Sequence, residues 1–180
     1  SAYGNVRKAG VNAINLEDDD SLIETMITDG TQDIILAKKQ GLAIRFHENE
    51  VRPMGRSAYG VKAVTLDDAN DEVVSMVGVK RSATLLAVTE NGYGKRSEIS
   101  EYRVSHRGGK GIITIKTTDR NGPVVAVKEV VDEDELMIIT RHGQLIRTPV
   151  KGISVLGRNT QGVRLVNLSA AGEDGDLHTL

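Results

Sequence analysis

The twelve residues Leu85-Leu86-Ala87-Val88-Thr89-Glu90-Asn91-Gly92-Tyr93-Gly94-Lys95-Arg96 decide how this chain is read. Two strand-like runs flank Asn91-Gly92, the dipeptide that most readily supplies the positive φ of a tight hairpin turn. The same frame recurs on both sides. Ile34-Ile35-Leu36-Ala37 leads through Lys38-Lys39-Gln40-Gly41 to Leu42-Ala43-Ile44-Arg45-Phe46. Leu136-Met137-Ile138-Ile139-Thr140 leads through Arg141-His142-Gly143 to Gln144-Leu145-Ile146-Arg147. Gly41, Gly92 and Gly143 are separated by equal steps of 51, as are Arg45, Arg96 and Arg147. The pairs Gly60-Val61, Gly111-Ile112 and Gly162-Val163 keep the same step, and Gly10-Val11 stands 50 residues before the first of them.

A second strand pair is expected after each hairpin. Gly60–Leu66 would turn into Val73–Val77, and Gly111–Lys116 would turn through Asn121-Gly122 into Val124–Val127. Lys62, Thr65, Thr114 and Lys116 interrupt the apolar residues, giving the alternation of a strand with one exposed face. Two pairs make four strands per repeat, the content of a propeller blade. The expected fold is all-β, a propeller-like array of four-stranded antiparallel blades: 1–33 a partial blade, then 34–84, 85–135 and 136–180. The WD and kelch signatures are absent. Helix is confined to single short turns around Ser97–Tyr102 and Val150–Ile153.

Composition agrees with a thin core. The 180 residues include four Tyr, one Phe and no Trp, so the apolar content is mostly aliphatic and β-branched. There is no cysteine, which removes disulfides and thiolate metal sites and suits a reducing cytoplasm, the expected location. No apolar run is long enough to span a bilayer as a helix, and no membrane partner is expected. Residues 1–5 lack the apolar core of a signal peptide.

The formal net charge is only −2, so any polyanion site must come from distribution. Acids bunch at Glu17–Asp20, Asp67–Glu72, Asp132–Glu135 and Glu173–Asp176. Bases bunch after the first hairpin of each repeat and before the Gly-Val pair: Arg45, Arg52, Arg56 and Lys62; Lys95, Arg96, Arg103, Arg107 and Lys110; Arg147, Lys151, Arg158 and Arg164. Arg7 and Lys8 hold that place in the partial repeat. Residues at one repeat phase share one edge of the array, so these loops would line up as a basic stripe, with the acids largely at other edges. Solvated turns are the simpler explanation of charge runs, and the phasing weighs against it. Five aromatic residues are too few for a row of base-stacking platforms, so duplex suits the stripe better than single strands.

Other chemistry finds no motif. Gly55–Lys62 lacks the Lys-Ser/Thr ending and the following helix of a phosphate loop, and Gly92-Tyr93-Gly94 lacks a third glycine. His47, His106, His142 and His178 have no metal spacing. Tyr93 and Tyr102 are expected to be packing residues.

Asn91–Arg96, Gly157–Val163 and Val51–Arg56 resemble, in the same order and at the same repeat length, segments of the C-terminal domain of bacterial DNA gyrase A. The resemblance implies a β-pinwheel whose strands are exchanged between neighbouring blades. It also implies sequence-tolerant wrapping of duplex DNA on a basic rim, with no catalytic residue in this chain. The whole enzyme would use ATP and Mg to introduce negative supercoils, with the gyrase A cleavage domain and gyrase B as partners in an A2B2 assembly. Tyr3, Tyr59, Tyr93 and Tyr102 would not include the cleaving tyrosine, which lies in a separate domain. The family's gyrase box, Gln-Arg-Arg-Gly-Gly-Lys-Gly, is matched in its last five positions by Arg107–Gly111, with Ser105 and His106 in place of the first two. Its place in the next-to-last blade marks it as a box-like loop, and the chain resembles the C-terminal part of the domain.

The expected DNA-contact set is Arg45, Arg52, Arg56, Lys95, Arg96, Arg103, His106, Arg107, Gly108, Gly109, Lys110, Arg147, Lys151 and Arg158. Consecutive glycines would let backbone N–H groups approach phosphate, with Arg107 and Lys110 supplying charge; a plain Gly-rich connector is the competing reading. Replacing Arg107 and Lys110 together is expected to weaken DNA binding without unfolding. The alternatives are the corresponding domain of topoisomerase IV and a propeller-like protein-interaction scaffold.

Overall fold

The computed structural model describes residues 9–80, 82–141 and 143–168. Strands β1 (Asp33–Lys38) and β2 (Leu42–His47) form the first hairpin. Strands β4 (Thr84–Thr89) and β5 (Tyr93–Glu98) form the second, and β8 (Glu135–Ile139) and β9 (Leu145–Pro149) the third. The turns close on Gly41, Gly92 and Gly143, each at positive φ.

The expected second hairpin does not form. Strand β6 (Ile112–Ile113) leaves its own repeat and adds to β2 of the one before, with Leu42 opposite Ile113 and Ala43 opposite Ile112. Strand β10 (Val163–Arg164) adds to β5 in the same way, while β3 (Val73–Val79) and β7 (Val124–Val130) stay home on β1 and β4. The sheets therefore run β3-β1-β2-β6 and β7-β4-β5-β10, every pair antiparallel. Each takes its outermost strand from the following repeat. The segment Gly60–Leu66 sits at the same phase as β6 and β10 and is not in a strand. A strand needs a ladder partner, and residues 9–32 contain no hairpin to receive it. Among the described residues the third hairpin stands as a two-stranded sheet.

Exchange requires close backbone approach. A Cβ on Gly111 would lie 2.5 Å from the Ala43 carbonyl oxygen, and one on Gly162 2.7 Å from that of Gly94, with φ of 87° and 77°. Only glycine meets both demands.

One 3₁₀ turn follows the second strand of each hairpin, at Glu48–Glu50, Ile99–Glu101 and Val150–Gly152. The last two fall where the sequence places short turns, and the first follows by the step of 51.

The central strands are buried on both faces, which is why they read as unbroken apolar runs. Ile35 and Ala37 pack with Leu85, Ala87, Val77 and Val127 between the two full sheets. Leu86 and Val88 face the third repeat through Val150 and Ile153. Ile34, Leu36, Ile44 and Phe46 pack against Met26 and Val64 on the other side. Fully burying such a side chain contributes about 1.5–3 kcal/mol. Tyr93 and Tyr102 are core residues, 4% and 1% exposed. The innermost strands meet where the Val127 N–H donates to Ser75 Oγ at 3.0 Å. The exchanged strands β6 and β10 lie at the opposite, outermost edge.

Candidate nucleic-acid interface

The loop leading into each exchanged strand runs back along the second strand of the preceding hairpin. The Ser105 N–H donates to the Arg45 carbonyl at 2.8 Å. One repeat on, the Arg96 N–H donates to Ser154 at 3.0 Å, and Leu156 donates to the Arg96 carbonyl at 2.8 Å. This contact draws part of the expected basic set inward. Arg45 donates to Asp33 at 2.9 Å and to the carbonyls of Ile99 and Tyr102 at 3.0 Å each. Arg96 is buried, with its guanidinium on the Ile153 carbonyl at 2.9 Å and Asp132 at 2.5 Å. Lys95 is fully buried, and its ammonium donates to the carbonyls of Gly157 and Arg158, both at 2.6 Å. Burial pushes the Lys95 ammonium pKa down to about 8, with Glu101 opposing the shift and Arg158 adding to it. These three cations fasten loops to strands.

Three arginines at another phase make one contact in three copies. Arg107 Nη1 donates to the Lys62 carbonyl at 2.7 Å and Arg158 Nη1 to that of Ile113 at 2.7 Å. Arg56 Nη1 reaches the Asn12 carbonyl at 3.4 Å. Each guanidinium bridges to the exchanged-strand phase of the repeat before it. Arg56 is exposed, and Arg107 and Arg158 are half-buried. They form a ladder along the outer edge.

The box-like loop is stitched to the segment before it. Gly108 takes φ 85° and donates its N–H to Ala63 at 2.7 Å, while Thr65 donates to the carbonyls of Gly108 (2.6 Å) and Gly109 (2.9 Å). His106 Nδ1 meets Glu50 at 2.6 Å, and the Arg107 N–H donates to the same carboxylate at 3.0 Å. Those two contacts, the backbone one first, hold the Glu50 carboxyl below its usual pKa. Lys110 reaches Asp67 at 3.2 Å yet keeps 66% of its side chain exposed. Lys38 binds Asp67 more tightly and is the leading cause of that carboxyl's lowered pKa. Acids thus enter the basic loops at Glu50 and Asp67, and the expected separation of charge is incomplete.

Of the remaining expected contacts, Arg52, Arg103 and Lys151 are exposed, as is Arg147, which pairs with Glu135. Arg7, Lys8, His142, His178 and Glu173–Asp176 lie outside the described residues. Sequence reasoning missed Glu50 and Glu101, whose side chains accept from the backbone N–H groups of Arg107 and Arg158. Their separation of 51 was the available signal. It also missed Arg120, whose counterpart one step earlier is Ala69. Among the described residues no helix is long and apolar enough to cross a membrane.

Comparison with known proteins bears on the family and the fold. A family model described as the DNA gyrase C-terminal domain, beta-propeller, matches residues 1–29, 32–80, 83–130 and 134–173. DNA gyrase A of Haloquadratum walsbyi is 48% identical over 170 residues, covering 93% of this chain and 20% of that protein. Its Haemophilus influenzae counterpart is 42% identical over 191 residues, covering 91% and 22%. The chain therefore spans about one-fifth of the length of these relatives. A solved DNA gyrase A C-terminal domain superposes with a TM-score of 0.86 at 30% identity, over 96% of this chain and 57% of that one. The C-terminal domain of DNA topoisomerase IV superposes with a TM-score of 0.89 at 23% identity, over 98% and 54%, a likeness of fold alone. With the exchanged outer strands, the repeat of 51 and a family match across most of its length, this chain belongs to the DNA gyrase C-terminal domain family.

Proposed function

We propose that this domain binds duplex DNA along its outermost edge and bends it with little regard to sequence. In that role it is the non-catalytic wrapping domain of a gyrase A protein. The observation that carries the reading is the ladder of Arg56, Arg107 and Arg158, at one repeat phase on the loops that precede Gly60, Gly111 and Gly162. Exposed Arg52, Arg103, Lys110, Arg147 and Lys151 extend its charge, with exposed His106 beside them. Lys95, Arg96 and Arg45 support the scaffold and leave the direct contact set. Cations repeated at one phase along an edge can neutralise successive phosphates without reading bases.

In the whole enzyme the wrap would fix the crossing sense of two duplexes, so that strand passage introduces negative supercoils. The gyrase A cleavage domain and gyrase B would be its partners, and ATP and Mg would be used there. The family match favours gyrase over topoisomerase IV.

The test is affinity for a duplex of several turns as a function of salt. Each neutralised phosphate contributes a slope of about −0.9 in log K against log salt. A slope of about −2 or steeper is expected. A slope near zero, or capture of a protein partner with no DNA shift, overturns the reading.

A further inference from the structure

Two exposed arginines converge on one buried phenol. Arg164, on the outermost strand β10, stands directly opposite Tyr93 of β5. Arg120 arrives from the turn between β6 and β7. Arg164 Nη2 donates to Tyr93 Oη at 2.9 Å and Arg120 Nε at 3.2 Å. Their guanidinium carbons also lie 5.3 and 5.1 Å from the ring centroid. The shared acceptor keeps the two donor nitrogens within about 6 Å of each other. The ring is 4% exposed, so it is a fixed post. The two cations lower its pKa, Arg164 more than Arg120.

The fold does not need this arrangement. One repeat earlier the same three positions are Leu42, Ala69 and Ile113, and Leu42 pairs with Ile113 across β2 and β6 as Tyr93 does with Arg164. An apolar pair makes that strand exchange, while the second sheet holds two like charges together. Among the described residues neither Arg120 nor Arg164 forms an ion pair with a carboxylate. Like charges held together without a counter-ion make an anion site.

We propose that Arg120 and Arg164, posted on Tyr93, form a clamp for one backbone phosphodiester at the outer edge of the second sheet, separate from the Arg56, Arg107 and Arg158 ladder. The proposal rests on the DNA-binding reading. Two guanidinium forks and a phenolic O–H present donors from different directions. A tetrahedral phosphate offers an acceptor oxygen to each, whereas one fork saturates a planar carboxylate.

The test uses the whole 180-residue chain. Tyr93→Leu/Arg120→Ala/Arg164→Ile rebuilds the first sheet's own pattern in the second. It should stay folded at a somewhat lower Tm, because the buried Tyr93 ring is lost, bind a duplex of several turns about tenfold more weakly, and show a salt slope shallower by about 0.9. Unchanged affinity and slope with the fold kept overturn the clamp and leave the wrapping reading standing. If the triple variant fails to fold, Arg120→Gln/Arg164→Gln, which keeps Tyr93, gives the same two outcomes.

A second arm needs no DNA. With ¹³C-labelled tyrosine, the Tyr93 resonance, assigned by its loss in Tyr93→Phe, should move on titration with inorganic phosphate. A wild-type chain that shows no salt-dependent duplex binding yet a Tyr93 response to phosphate sinks wrapping and sustains the anion site. No response sinks the clamp, and an equal response to an acidic peptide overturns its assignment to phosphate.

Discussion

The Arg107 guanidinium lies 2.7 Å from the Lys62 carbonyl, and the bond ties the box-like loop of one repeat to the exchanged-strand phase of the one before. Arg107 also donates its Nε to the Glu50 carbonyl at 3.1 Å and its backbone N–H to the Glu50 carboxylate. It is therefore a strut as well as a candidate phosphate contact. The expectation that removing Arg107 and Lys110 together weakens DNA binding without unfolding the chain divides in two. Arg107→Ala should lower the unfolding free energy by about 1–2 kcal/mol. Arg107→Lys should not restore it, because a single ammonium does not span both carbonyls. Lys110→Ala, whose side chain is mostly exposed, should stay within about 0.5 kcal/mol of wild type while weakening duplex binding. Urea midpoints decide: an Arg107→Ala midpoint equal to wild type removes the strut.

The glycines at one repeat phase, Gly60, Gly111 and Gly162, of which the last two enter exchanged strands, should rank by what a methyl group would meet. At Gly111 and Gly162 it would collide with the backbone oxygens of Ala43 and Gly94 and also sit at positive φ. At Gly60 the nearest atom is Ile14 Cδ1 at 3.9 Å, leaving only the φ penalty. Alanine at Gly60 should cost about 1 kcal/mol, and at Gly111 or Gly162 clearly more than about 2 kcal/mol. Thermal unfolding of the three variants checks the order. Equal losses at all three positions would mean that strand exchange does not impose the glycine.

The hairpins were legible because Asn91-Gly92 and its counterparts carry local turn chemistry, and the step of 51 exposed the repeat. Strand exchange left no such trace in the residues themselves. Ile112 and Val124 read equally well as partners of each other, and only the resemblance to a known family pointed to exchange. The basic stripe was legible as composition and not as exposure. Lys95, Arg96 and Arg103 look alike in sequence, yet the first two are buried because a loop more than fifty residues away brings carbonyls to them. Arg120 was invisible because it breaks the repeat, and periodicity finds only what recurs.

A buried charge cluster closes the inner end of the first hairpin. The Lys38 side chain is fully buried, with its ammonium 3.0 Å from the fully buried Asp71 carboxylate and in contact with Asp67. Lys38→Met leaves the Asp71 charge without its cation and should cost about 3–5 kcal/mol. The cluster should also be acid-labile. Lys38, then Lys110, holds the Asp67 carboxyl below its unfolded pKa. Its stabilising contribution is therefore present above about pH 4 and lost as pH falls below that. Chemical denaturation at about pH 7 and about pH 3 should show a smaller acid-induced loss in Asp67→Asn than in wild type. An identical loss in both would remove Asp67 from the account.

Lys95 should give the opposite end of the pH range its shape. Its folded pKa of about 8 lies below the 10.5 of a free lysine. Between those values the unfolded chain binds the proton more readily than the folded one. Stability should therefore rise with pH across that window, because the cost of burying the ammonium is fully present below about pH 8 and disappears as the folded chain sheds the proton. The hydrogen bonds to the Gly157 and Arg158 carbonyls oppose this cost and keep the side chain in place. Lys95→Met removes the titration. Its unfolding free energy, measured by urea at intervals from about pH 7 to about pH 10.5, should rise less steeply than that of wild type. Tyr93 and Tyr102 titrate in both proteins, so the difference between the two curves isolates Lys95. Parallel curves would mean that the buried ammonium keeps its proton throughout, and that the carbonyl pair offsets the whole cost of burial.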